Sequence, residues 1–597
     1  MGQEYYQSEL QKSIEACGAL QKKYNRISLL RLFVFLFAVV SFAAGVWMQN
    51  VFGYAAGVLG FLAFLVLLRV HDRVAREQRR EQARRETLER YTGRFDERWK
   101  TFPDDGAPYL TEDFPQGRDL DLFGKASLYQ LICTAHTKMG RDRLANSLQN
   151  VAPDRAEIQR RQGAVRELAE KPAFAVELEC LTGQVSPGLD SGETLERFAE
   201  TRKMPKGPAF LKVLAWGLPF LTLFFLLSAL LGIQTRWSMV GFDVLLIVQI
   251  LFALLGYRRN QAVLRPVFAF QASVEPYRAV FALLERETFT SAYGKELKEK
   301  LTRNGGAVQA LQELESIAGA VKLRFNGLGY ILCNSLLMWD YHCVDRFQAW
   351  NATHGAAMGE WLETVGEIEA LASLSVLCNV REKTVFPEIS GAAPSLSFED
   401  LRHPLISEKK AVGNGFSLRA ATCVVTGSNM SGKTTFLRSI GVNLLLAYAG
   451  GPVLAKRFQV SELALLTSMR IEDSVSEGIS TFYAELLRIK RIVAFSRTGK
   501  PMLALIDEIF KGTNSRDRIL GATETIRQLS VPHALTIVTT HDFELCELEN
   551  DQTIHAVNCH FSEHYVGDEI RFDYKIRPGR CKTTNAQHLL RMVGILT

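Results

Sequence analysis

The stretch Thr426–Thr435, TGSNMSGKTT, most restricts what this chain can fold into. A β-branched run, Thr422–Thr426, precedes it and an apolar helical pattern, Thr435–Tyr448, follows. Such a run suits a buried parallel strand. Gly427, four residues, then Gly432, Lys433 and Thr434 complete G-x-x-x-x-G-K-[ST] in the strand-to-helix context that gives the pattern meaning. The glycines let the backbone N–H groups of a loop through Ser428, Asn429, Met430 and Ser431 close on a phosphate. The helix start at Thr434 and Thr435 adds partial positive charge. Lys433 brings charge to the outer phosphates, and Thr434 a hydroxyl for Mg²⁺. ATP and Mg²⁺ are therefore the expected ligands.

Two further strands point to the same site. Pro501–Glu508, PMLALIDE, is apolar and ends in paired carboxylates. Asp507 is expected to hold the Mg²⁺ shell, and Glu508 to orient or activate the attacking water. Leu535–Thr540, LTIVTT, ends at His541, a polar switch residue at the carboxyl edge where open α/β sheets bind ligands.

The motifs TGSNMSGKTTFLR, EDSVSEGISTFYAEL (Glu472–Leu486), LIDEIFKGTNSRD (Leu505–Asp517) and TTHDFEL (Thr539–Leu545) together resemble the ATPase domain of the MutS family of DNA mismatch repair proteins. Asn429-Met430 and the STF at Ser480–Phe482 set them apart from ABC transporters, whose LSGGQ-type stretch is not found. Upstream, Leu120–Leu144 and Ile158–Leu168 resemble the start of the family's helical core. Glu367–Leu377 resembles the helix returning to the ATPase, and Arg402–Pro404 the strand that opens it. The resemblance implies a homodimer with composite ATP sites, in which Ser480 and the Asn514–Asp517 loop act on the partner's nucleotide. It also leaves DNA open as a partner. The family's Phe-x-Glu mismatch wedge and its clamp insertion have no counterpart here, so no mismatch preference is expected. Arg580–Ile595 departs from the family's Ser-Tyr-Gly pattern.

The rest of the chain is unlike a soluble repair protein. Leu29–Met48 and Val51–Val70 are almost wholly apolar, each near the ~20 residues that cross a bilayer, with only Gln49 and Asn50 between. Val213–Ile233 and Trp237–Tyr257 form a second such pair, with Trp216, Trp237 and Tyr257 as interfacial anchors and Asp243 as a polar exception, either at the interface, the favoured place, or a functional polar site within the membrane. Basic residues flank both pairs on one side: Arg69 and the arginine-rich His71–Lys100 after the first, Arg202, Lys203, Lys206 and Lys212 before the second, and Arg258, Arg259 and Arg265 after it. Positive flanks stay cytoplasmic, so both hairpins enter and return from that side. This predicts a multi-pass protein with four spans, both termini and the ATPase in the cytoplasm.

Ten cysteines without a C-x-x-C pair argue for a reducing compartment. His555, Cys559, His560 and His564 lie on a strand pattern whose alternation splits them between faces, and read as structural rather than metal-binding.

The predicted order is an N-terminal helical segment (1–28), transmembrane hairpin 1 (29–70), a charged stalk and linker (71–116), the first part of the helical core (117–204), hairpin 2 (205–260), a helical lever (261–380) and the α/β P-loop ATPase (381–597). The aromatics of the lever, Phe325, Tyr330, Trp339 and Trp350, read as core packing. Two functions remain open: an ATP-gated DNA clamp held at a membrane, or an ATP-driven mechanical or signalling device acting on protein or lipid.

Overall fold

The structure is a computed structural model and describes residues 2–151, 154–185, 209–391, 393–470, 481–511, 514–566 and 569–581. Ser480, the basic residues 202–206 and most of 580–595 lie outside them.

Two long helices open the chain, α1 (Gly2–Met48) and α2 (Val51–Gly93). The polar segment 1–28 and the first apolar run are one helix. Glycines on α2 set the closeness of the pair: a Cβ on Gly57 would stand 2.7 Å from Phe42 Cβ, and one on Gly53 2.6 Å from Gly45 Cα. The arginine-rich half of α2 is not a bare stalk. Arg84 pairs with Glu9 of α1 at 3.0 Å, and the Tyr6 and Tyr91 rings stack 4.5 Å apart.

After α2 the predicted linker packs instead of hanging free. Trp99 is buried, and the Phe102 carbonyl accepts from Gln130 Nε2 at 2.6 Å. Short helices α3 (Gln116–Asp119) and α4 (Leu128–Ile132) lead to α5 (Lys138–Gln149), α6 (Arg155–Ala169) and α7 (Pro172–Thr182). Arg90 of α2 reaches Glu179 of α7 at 2.8 Å, seating the first hairpin on this core.

The second apolar pair is α8 (Ala209–Leu230) and α9 (Thr235–Arg286). Gln249 Nε2 donates to Thr222 Oγ1 at 2.5 Å between them, while Asp243 is exposed. The chain thus has four helices long and apolar enough to cross a membrane, by length and composition. α9 does not stop at Tyr257 but runs unbroken into the lever region, with Pro266 and Pro276 inside it.

The lever continues as α10 (Ala292–Thr302), α11 (Ala307–Lys322), α12 (Gly327–Leu337) and α13 (Trp339–Val380). The lever is interrupted at Leu323–Phe325, a 3₁₀ turn capped by Asn326. Trp350 and the Glu367–Leu377 stretch lie on one helix, α13, because nothing between them breaks the pattern. Trp350 is core, but Phe325 is 44% exposed and not core.

Strands β1 (Glu388–Ser390), β2 (Ser395–Leu401) and β3 (Asn414–Arg419) begin the C-terminal unit. Arg402–Pro404 lies beyond β2 in a turn, not on a strand as its resemblance suggested. Then follow β4 (Thr422–Thr426), α14 (Lys433–Tyr448), β5 (Arg457–Ser461), β6 (Ala464–Ser468), α15 (Thr481–Ser496), β7 (Met502–Ile506), α16 (Ser515–Leu529), β8 (Ala534–Thr540), β9 (Ala556–Val566) and β10 (Glu569–Pro578). The strands form a small sheet, β1-β5-β2-β3, and a larger one, β10-β9-β4-β8-β7-β6, parallel except at β10. β4 to β8 are buried on both faces where they are central, which accounts for their continuous apolar runs.

Helical and α/β parts share one core, from Trp99 and Leu120 through Trp361 and Leu371 to Leu444 and Leu503. Polar clamps fix the join. Arg161 Nε donates to the Ala449 carbonyl at the end of α14 at 2.9 Å and pairs with Glu367 of α13. Asp119, fully buried, accepts from Thr467 Oγ1 at 2.6 Å and from the Arg470 N–H at 2.9 Å, and pairs with Arg488 at 3.0 Å.

Candidate functional site

Parallel strands end together, so the loops after β4, β7 and β8 meet at one edge of the sheet. Register sets which residues face each other: Thr426 stands beside Thr540, and Ile506 beside Val538. Lys433, Thr434, Asp507, Glu508 and His541 therefore converge.

The loop 427–432 wraps the start of α14. Gly427 and Gly432 have φ of 150° and 108°, and a Cβ on Gly427 would lie 2.8 Å from the Phe561 carbonyl. Only glycine fits there. Met430, also at positive φ, is 85% exposed, and Asn429 is exposed beside it. Lys433 is folded back, its Nζ donating to the Gly427 and Ser428 carbonyls at 2.8 and 2.9 Å. Burial pushes its amine below the usual lysine range, opposed by the nearby Glu508 and Asp507 carboxylates. Ser428 Oγ donates to Glu563 at 3.1 Å, and Ser431 Oγ is buried with no hydrogen-bond partner. Thr435 is exposed at the first turn of α14.

Thr434 Oγ1 donates to Asp507 Oδ2 at 2.8 Å. The other Asp507 oxygen accepts from Thr539 Oγ1 at 2.6 Å, and that hydroxyl accepts from the Glu508 N–H at 2.9 Å. Glu508 has φ of 51°, a strained setting worth about 1 kcal/mol or more for a residue with a side chain. Both its oxygens are occupied: His541 Nε2 stands 3.0 Å from Oε1 and Lys511 Nζ 2.8 Å from Oε2. The His541 contact, against the opposing effect of burial and with help from Lys511, holds its carboxyl down to about 2.

A cavity of about 510 Å³ opens beside Gly432 and Thr435, lined among others by His403, Ile406, Val412, Phe436 and Tyr574. Its size falls in the range of small-molecule sites. Tyr574 sits where the β9–β10 register shifts between Phe572 and Ile576, and has φ of 56°. The bulge brings its ring within 3.2 Å of where a Gly432 Cβ would be. Burial holds the His403 imidazole down to about 4, so this side chain is neutral, while Lys410 on the same stretch brings a positive charge to the cavity.

The sequence reading singled out neither Tyr574 nor Thr539, Lys511 and Glu485. Glu485, nearly buried, accepts the Phe510 N–H and fixes the turn after β7. A lysine three residues after the carboxylate pair was visible as a spacing; the bulge and the strand register were not. The Asn514–Asp517 segment forms the N-cap of α16, Asn514 Oδ1 accepting from the Asp517 N–H at 3.0 Å. Among the described residues no three His, Cys, Asp or Glu side chains gather as a metal cluster. His560 Nδ1 meets the Gly579 carbonyl at 2.9 Å.

Residues 423–595 match the family model described as MutS domain V. Two curated proteins named DNA mismatch repair protein MutS are similar to this chain. One, from Aquifex pyrophilus, is 29% identical over 294 residues, 48% of this chain and 32% of that protein. The other, from Natronomonas pharaonis, is 28% identical over 257 residues, 42% of this chain and 30% of that protein. The chain thus spans about a third of the length of the curated relatives it matches. The matched segment begins inside β4 and takes in every strand-end residue described above, and over it the chain is similar to the MutS family.

Proposed function

We propose that this chain is a membrane-anchored ATPase in which ATP binding and hydrolysis change the conformation of a dimer. The observation that carries the reading is the strand-end pair Asp507 and Glu508 set against Thr434, with Thr434 Oγ1 2.8 Å from Asp507. The residues fit the ligands. The loop carries a buried Ser431 hydroxyl without a partner, and the neighbouring cavity suits a nucleoside whose base lies against Tyr574. Mg²⁺ would be held by Thr434 and Asp507, and when bound it neutralises charge on the phosphate oxygens.

Lys433 turns from the two loop carbonyls to the phosphates, exchanging neutral acceptors for charged ones. Glu508 orients or activates the attacking water through an oxygen freed from His541 or Lys511. Ser480 and the Asn514–Asp517 segment would complete the partner's site in a homodimer.

Hairpins 29–70 and 205–260 would cross the bilayer, leaving both termini and residues 381–597 on the cytoplasmic side, where ATP is. The exposed apolar surfaces of the four helices support this, as do Arg258 and Arg259 at the end of one span. For the output, the relatives' names favour DNA. The unbroken α9, joining span to lever, favours mechanical action on protein or lipid.

The test is nucleotide binding and turnover by the full chain in detergent. Lys433→Ala should lower ATP affinity roughly 30-fold, a loss of about 2 kcal/mol for one charged hydrogen-bond set. Glu508→Gln should bind ATP normally and turn over about 100-fold more slowly. Full turnover by Glu508→Gln would remove the assignment.

A further inference from the structure

Helix α12 is inside out. Asn334 and Ser335 are buried on it, at 2% and 6% exposure, while Ile331 and Leu332 are 60% and 51% exposed. Asn334 turns inward to cap α13, its Oδ1 accepting the Asp340 N–H at 3.0 Å. The lipid-facing candidates on α9, Leu251 and Leu254, have the same exposure, 53% and 62%. A soluble helix hides Ile and Leu and shows Asn and Ser, so the reversed pattern needs an apolar environment outside.

The height of this corner along α9 identifies that environment. Tyr330 meets Tyr257, the last residue of the apolar run, edge to face at 5.9 Å. The Tyr341 hydroxyl donates to the Phe252 carbonyl at 3.0 Å, and His342 Nε2 lies 3.0 Å from the Ala215 carbonyl of α8. Phe252 is five residues before Tyr257, about 7.5 Å deeper at the helical rise. That depth lies within the roughly 5–10 Å to which interfacial helices sink. At the other end, Phe325 stacks on Phe268 at 3.8 Å, well past Tyr257 on the basic side of α9, where Arg258, Arg259 and Arg265 are exposed.

We propose that the α12–α13 corner, residues 327–341, is a monotopic membrane insertion in which Ile331, Leu332 and Leu337 contact lipid acyl chains. The lever would then be wedged into the bilayer surface as well as tethered by α9. Leu337, next to the corner, lies deepest, Ile331 shallower, and Phe325 on the water side of both. The inference rests on the reading that α8 and α9 span the bilayer.

The test uses the full chain in nanodiscs of zwitterionic and anionic lipid. An environment-sensitive fluorescent amino acid is placed by codon suppression at Ile331, Leu337, Ile247 or Glu299, and each protein is checked for ATP turnover, with Leu332 as the substitute site if one fails. Nitroxide on the acyl chain quenches from the lipid, and iodide from the water. Ile331 and Leu337 should be quenched by nitroxide at least threefold more than Glu299, Leu337 the more strongly, and by iodide at least threefold less. Iodide access at Ile331 and Leu337 equal to that at Glu299, with Ile247 still quenched by lipid, overturns the inference and leaves the spans intact. Shielding from both quenchers overturns it in favour of a protein cover. Iodide access at Ile247 removes the spanning reading and the inference with it.

Discussion

Glu508 is gripped by His541 and Lys511 before any substrate arrives. Its pKa is depressed below the ordinary carboxylate value, so its charge is present above that value and is lost only as pH falls toward about 2. Between pH 6 and 9 it does not titrate. The ratio of wild-type to Glu508→Gln turnover should therefore stay constant over that window, whatever other groups do to both proteins. A ratio that shrinks toward pH 6 would show the carboxyl taking up a proton there. The residues carrying this site divide by how far their chemistry reaches along the chain. The loop glycines, Lys433, Thr434 and the Asp507–Glu508 pair were legible, since phosphate binding needs those types at short fixed spacing. Thr539 was hidden because its role depends on which residue of β7 lies alongside it. Tyr574 was hidden because only the β9–β10 bulge turns it to Gly432.

Elements join through a few buried charges. Asp119 holds β6, the Arg470 backbone and Arg488 of α15 together, so the helical core grips the segment on either side of residues 471–480. Removing it leaves a half-buried arginine and two donors without their acceptor, at about 3 kcal/mol. Asp119→Ala should lower the denaturation midpoint accordingly, and an unchanged midpoint would show the clamp to be idle. In the first hairpin the fit of Gly57 under Phe42 has no room for a larger side chain. Gly57→Leu should cost roughly 1–3 kcal/mol through overpacking, read as thermal stability in detergent. Val58→Leu, on the exposed side of the same turn, should cost nothing measurable. Element types were largely legible, because apolar period and length separate strand from helix. Helix ends were not: no sequence break marks where the second apolar pair gives way to the lever within α9, and the break at Leu323–Phe325 follows from how α12 packs on α8 and α9.

For the whole molecule, the partner divides the two readings. Lysines and arginines without a mismatch wedge contact phosphates and read no sequence. If duplex DNA binds, affinity should fall about 0.9 log units per log unit of salt for each phosphate neutralised. Matched and G·T-mismatched duplexes should differ by less than about tenfold, ~1.4 kcal/mol. Full chain titrated with both at two salt concentrations decides this, and a larger preference would reveal a recognition element. One consequence of α9 concerns the bilayer itself. Because no joint separates the apolar half of that helix from its lever half, the tilt of one is the tilt of the other, apart from bending at Pro266 and Pro276. Beyond Tyr257 the rod continues for about 45 Å at the helical rise, so a 10° change in tilt sweeps its far end through roughly 8 Å. Span tilt answers to hydrocarbon thickness. With α9 spanning the bilayer as proposed, a thinner or thicker membrane would become a displacement, of side-chain size or more, in the helices packed on the far end of α9.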